Sequence, residues 1–187
     1  MRDEMVKLEK IKKSCKISKN LSKMIACLVT VGFVCAIAGI LVIGVIGHDN
    51  INSELKKSIE SGDSTFNVDD IDINGMVQLN VKLNEMAEQG EYAEALTIIC
   101  AFIAVVTAAI AIVFWMLVNI FKMIAESNTP FTVNILNRLK TIFIMVTVIA
   151  VLSSGLGMGV IVGCIGWSLY SIFDYGFVIQ QEIDETL

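Results

Sequence analysis

Residues 141–178 read TIFIMVTVIAVLSSGLGMGVIVGCIGWSLYSIFDYGFV, and 141–173 within them hold no Asp, Glu, Lys, Arg or His. As one straight helix the stretch would be about 57 Å long, far more than the roughly 30 Å of hydrocarbon in a bilayer, so it has to fold back on itself. Ser153-Ser154-Gly155-Leu156-Gly157-Met158-Gly159 supplies the break, because Gly and Ser close a tight turn at little steric cost. The stretch therefore predicts two membrane helices joined by a short turn. One runs from Val133 to Ser153, with 136–153 in the membrane; after a turn over 154–158 the other runs from Leu156 to Phe177, with 159–177 in the membrane.

Two more runs, 24–47 and 95–121, also lack every ionisable residue. As helices they reach about 36 Å and 40 Å, enough to cross. With an apolar share of 55% and a mean hydropathy of +0.72, the fold class is an all-α membrane protein, a bundle of four transmembrane helices. The longest polar stretch, 48–94, is too short to bury much of a core of its own, which excludes a large soluble catalytic domain.

Basic residues before Ala36-Ile37-Ala38 suggest a cleaved signal, but the basic region exceeds 20 residues and apolar sequence continues to Gly47. The segment is expected to stay as a span. Eight of the fourteen Lys and Arg lie in 1–23 and three in 122–140, against three in 48–94. The positive-inside rule then makes 1–23 and the 122–135 connection cytoplasmic and the 48–94 loop extracellular, with an acidic cytoplasmic tail at 178–187. The loop carries eleven acids, which argues against direct nucleic-acid binding.

Candidate sites are few. Asp70-Ile71-Asp72-Ile73-Asn74-Gly75 matches half a calcium loop, with Asp70, Asp72 and Asn74 as weak metal candidates, but Val81 stands where a bidentate Glu belongs. A β-hairpin is the preferred reading, turning at Asn74-Gly75 between Ile71 and Ile73 and a return strand of Val77, Leu79 and Val81. His48 beside Asp49 reads as a solvated membrane boundary. Cys27, Cys35, Cys100 and Cys164 lie in apolar runs and Cys15 in the basic segment, in no metal or redox spacing. No Ser/His/Asp, Cys/His or paired-carboxylate arrangement is present, so no enzyme and no cofactor is expected. With no ionisable residue between the flanks of the spans, a proton relay is also not expected. Trp115, Trp167, Tyr170 and Tyr175 read as an interfacial belt.

Helices in lipid approach through small residues. Gly155, Gly159 and Gly163 form such a stripe, joined by Gly32 with Ala36, Cys35 with Gly39, Ala104 with Ala108 and Thr107 with Ala111. Packing within the monomer is preferred over a homo-oligomer contact. On the cytoplasmic side, Pro130 ends a helix and Thr132 caps the next. Met5, Leu8, Ile11 and Cys15 recur at helical spacing among lysines, a pattern that can lie on an anionic leaflet. Ile179, Ile183 and Leu187 form a stripe on the acidic tail that can dock on a partner, with docking on the basic N-terminus or anchoring at the interface preferred.

Taken together, four spans, a long loop after the first, Asn128-Thr129-Pro130-Phe131-Thr132 with Asn137-Arg138-Leu139, and Asp174-Tyr175-Gly176, Gln180, Glu182 and Asp184-Glu185-Thr186-Leu187 resemble a domain-of-unknown-function family of small bacterial membrane proteins. The likeness covers nearly the whole chain and rests on the Thr-Pro-Phe-Thr and Asp-Glu-Thr-Leu motifs; the long acidic loop departs from it. It implies a Gram-positive-type plasma membrane protein, often encoded beside a small helix-turn-helix regulator, and no known activity. The expected function is a noncatalytic sensor or scaffold holding a cytoplasmic regulatory partner through Thr129, Pro130, Phe131, Thr132, Arg138, Asp184, Glu185, Thr186 and Leu187. The alternative is a small transporter or immunity-type protein acting on an extracellular peptide through the acidic loop.

Overall fold

The computed structural model describes residues 2–61, 77–126 and 132–186. Among them every regular element is helical: α1 (Arg2–Ile46), α2 (His48–Glu60), α3 (Val77–Glu88), α4 (Tyr92–Glu126) and α5 (Val133–Thr186). Three of these, α1, α4 and α5, are long and apolar enough to cross a membrane. The basic N-terminal segment continues into the first apolar run as one helix.

The centre of the molecule is α4, whose two faces serve two neighbours. Ala104, Ala111 and Val118 are buried at seven-residue spacing, and α1 buries Ser22, Ala36 and Ile43 at multiples of the same interval, with Ala26 beside them. That repeat keeps one seam facing a partner helix along its whole length. Most of the seam is small side chains, Ser22, Ala26, Ala36, Ala104 and Ala111, which allow close approach in lipid; a Cβ at Gly39 would meet Cys100 Sγ at 3.4 Å. Two positions on from 111 and 118, about 200° round the helix, Val113 and Ile120 turn the other way and form a core with Ile135 and Ile142 of α5.

Within α5 the helix is interrupted at Gly155 (φ 84°, ψ 175°), inside the 153–159 stretch. A left-handed φ of this kind costs a side chain-bearing residue energy that Gly avoids. The two arms, 133–154 and 156–186, then run back along each other: a Cβ at Gly159 would overlap Val151, one at Gly163 would lie 3.2 Å from Thr147 Cγ2, and one at Gly166 3.2 Å from Phe143 Cβ. Of the three glycines expected to pack, Gly155 is therefore the bend, Gly159 and Gly163 are contacts, and Gly166 is an added contact.

Hydroxyls within the apolar runs are bonded inside their own helices. Thr30, Thr107, Thr147 and Ser168 each donate to the carbonyl four residues back, at 2.6–2.8 Å, which leaves nothing for lipid to solvate.

The structure departs from expectation at two places. Val77, Leu79 and Val81, read as the return strand of a hairpin, lie in α3. Leu79, Leu83 and Met86 recur at helical spacing, and Leu83 is 1% exposed while Val81 is 52% exposed, so burial of the helical stripe against α4 outweighs the alternation. The turn at Asn74-Gly75 and the metal candidates Asp70, Asp72 and Asn74 lie outside the described residues. Finally, α5 packs on α4 and not on α1, so the helices form a row with α4 inside it. A closed four-helix bundle is not seen among the described residues.

The overlap at Gly159 gives a direct test of the hairpin. Gly159→Ala is expected to lower stability in detergent micelles by about 1–3 kcal/mol through overpacking. Gly44→Ala, at a position with nothing within 4 Å, should leave it unchanged or slightly raised. Unfolding by sodium dodecyl sulfate, followed by circular dichroism, measures both.

Candidate functional site

Two places gather polar chemistry. The first is a clamp where α2 meets the start of α4. Gly47 (φ 86°) turns the chain out of α1 so that α2 begins at His48, and Asn52 follows one turn later. His48 Nδ1 lies 3.0 Å from Glu94 Oε1, Asn52 Nδ2 donates to Glu94 Oε2 at 3.3 Å, and the backbone N–H of Ala93 donates to Asn52 Oδ1 at 2.7 Å. Asn52 thus satisfies one of the free amides at the α4 terminus, where a carboxylate is also favoured by the helix dipole.

Hydrogen bonds hold the Glu94 carboxyl below the usual carboxylate range. Its own backbone amide contributes most and Asn52 next; partial desolvation opposes them, and His48 adds a smaller hydrogen bond and charge attraction. The partner of His48 is thus Glu94, 46 residues away, rather than solvent alone. Among the described residues no group of three or more His, Cys, Asp or Glu could hold a metal ion. What the clamp can do chemically is tie the base of the 48–94 segment to α4.

The second place is the seam between the arms of α5. A groove of about 200 Å3 lies there, walled by Phe143, Ile144, Thr147 and Val148 on one arm and Trp167 on the other, and floored by Gly163 and Gly166. At one end the Lys140 ammonium lies 5.9 Å from the centre of the Tyr170 ring, within cation–π range; the Trp167 and Tyr170 rings are tilted 44° at 6.3 Å.

The residues expected to hold a partner are spread out. Thr132 accepts from Ile135 N–H through its hydroxyl at 3.4 Å and from Leu136 N–H through its carbonyl at 3.0 Å, capping α5. Arg138 and Glu185 are exposed. The antiparallel arms put Arg138 level with about residue 172, so Glu185 lies about 20 Å further along the axis. Asp184 and Thr186 are described in backbone only, and Thr129, Pro130, Phe131 and Leu187 lie outside the described residues. Cys15 is half-buried, and that burial pushes its thiol up, which lowers its reactivity at neutral pH.

Neither the clamp nor the groove was among the expected sites. His48 and Glu94 were both visible in the sequence, but no local spacing joins residues 46 apart; Lys140 entered only the count of basic residues in 122–140. Comparison with family models, with curated proteins and with solved structures returned no match.

Because the folded Glu94 carboxyl is harder to protonate than an unfolded one, the clamp's contribution is in place above the ordinary carboxylate range. It is lost as pH falls through the depressed value. Amide exchange in α2, corrected for intrinsic rates, should accelerate on that descent. Glu94→Ala should show the faster exchange already at neutral pH, with the middle of α4 unchanged.

Proposed function

We propose that the chain is a four-span protein of a bacterial plasma membrane, with both termini in the cytoplasm, that senses or scaffolds without catalysis by holding a cytoplasmic regulatory partner. Support for four crossings comes from the bend at Gly155 and the glycine contacts along the returning arm. Support for the orientation comes from the Lys and Arg of 1–23.

The observation that carries the partner reading is the length of the second arm of α5. From 156 to 186 it is helical, about 46 Å, some ten residues more than a 30 Å core needs. The surplus carries exposed Ile179 and Ile183 together with Glu182 and Glu185, an amphipathic handle of the kind that lies in a partner's groove. The resemblance set out above makes a small helix-turn-helix regulator the partner class expected, with nucleic acid bound by that partner and not by this chain.

Two measurements test the reading. For topology, a single cysteine placed at Ser154 in a chain otherwise free of cysteine should react with a membrane-impermeant maleimide added outside intact cells. One placed at Ser127 should react only after permeabilisation; the reverse pattern would sink the orientation. For the partner, a chain truncated before Glu182 should remain in the membrane fraction yet lose a DNA-binding protein that co-purifies with the full chain. Retention of that protein by the truncated chain would count against the tail as its holder.

A further inference from the structure

We infer that the seam of the α5 hairpin is a binding site for one anionic phospholipid, its phosphate at Lys140 and one acyl chain lying in the groove. The inference rests on the membrane reading above and adds to it a ligand class and a site.

The groove has the shape of a single chain with a charged end. Lys140, Ile144, Thr147 and Val151 form one stripe on the first arm; Leu156, Val160, Gly163, Trp167 and Tyr170 form the facing stripe. The groove at the Lys140 end shares Thr147, Gly163 and Trp167 with a more open one of about 470 Å3 that reaches Leu156. Together the two adjoining grooves span about 22 Å, the axial length from 140 to 155. Its floor exists because Gly163 and Gly166 carry no side chain. Its walls face away from α4: Ile144, Val148, Val160 and Trp167 are 50–69% exposed, whereas Ile135, Ile142 and Met145 belong to the α4 core.

Charge selects the occupant. Lys140 lies over the Tyr170 ring and makes no ion pair among the described residues. When the Gly155 turn sits at one interface of a 30 Å core, Lys140 lies about 8 Å inside the other, within reach of the headgroups by extending its side chain. An ammonium held there without a carboxylate partner is complementary to a phosphate. Tyr170 and Trp167 place an amphipathic rim at the same level, as membrane interfaces favour.

Tryptophan fluorescence tests the site. Trp115→Phe leaves Trp167 as the sole reporter of the groove, and Trp167→Phe leaves Trp115, on α4, as a reporter of insertion. Each full-length variant is reconstituted in phosphatidylcholine vesicles with brominated acyl chains carried either on phosphatidylglycerol or on phosphatidylcholine. Trp167 is expected to reach half-quenching at about fivefold less brominated phosphatidylglycerol than phosphatidylcholine, the preference that one lysine confers. Lys140→Gln should erase the difference, while Lys140→Arg and Arg138→Gln should keep it.

Equal quenching by the two lipids overturns the inference, as does an effect of Arg138→Gln matching that of Lys140→Gln. So does a Trp167 shielded from both lipids while Trp115 is quenched, which would mean a protein surface, such as a second copy, covers the groove. If neither tryptophan is quenched by either lipid, the membrane reading itself fails.

Discussion

Close approach of α4 to a helix on each side is the constraint on which the rest of the structure depends. In water, two apolar helices associate because their faces leave solvent; in a bilayer the lipid tails are as apolar as the side chains, and that drive is small. What remains is fit. On the α1 side the fit is supplied by Ala26, Ala36, Ala104, Ala111 and the contact of Gly39 with Cys100. On the α5 side it comes from larger residues, Val113, Ile120, Ile135 and Ile142, with Met116, Met123 and Met145 filling around them, a use to which flexible methionine is suited. The two seams lie on opposite sides of one helix because their repeats are offset by two residues.

The hairpin follows a different rule. A break in a membrane helix exposes backbone amides, and it is tolerated where neighbouring chain or the interface can serve them. Gly155 concentrates the break in one residue with a left-handed φ, and Gly159, Gly163 and Gly166 let the returning arm lie against the first from the turn onward. The same missing side chains that permit contact at Val151, Thr147 and Phe143 leave a slot beside it, so the groove is a geometric consequence of how the fold-back is closed. Fold and site are in this sense one feature.

Much of this was legible in the sequence, and the reasons differ by element. The long helices were legible because ionisable residues are excluded from apolar runs, and the bend because Gly and Ser cluster at the middle of a run too long to cross once. Thr132 was legible as a cap because capping is local. The return strand at Val77, Leu79 and Val81 was misread because a short alternation is compatible with either period, and the deciding fact, burial of Leu83 against α4, is tertiary. The pairing of His48 with Glu94 was illegible for the same reason: two helix ends meet only once α1 and α4 lie antiparallel. A span count does not by itself say which helices touch, and so it could not distinguish a row from a closed bundle.

Depth shows the same limit most sharply. Along the chain Lys140 immediately precedes the run 141–173 and lies about one turn inside the expected 136–153 span, where a lysine can reach the interface by extending its side chain. In space its depth is set by the neighbouring helix. The short connection pairs Ile135 and Ile142 with Ile120 and Val113 in antiparallel order, which brings residue 140 level with about residue 115, a full two turns inward of Lys122. Its ammonium lies over the aromatic face of Tyr170. On the membrane reading proposed above, the apolar runs are free of charge along the sequence, yet a lysine stands level with the apolar run of the neighbouring helix. Where membrane helices are staggered against each other, a charge that marks the end of one helix stands beside the apolar run of the next, and its chemistry has to be read from that second environment.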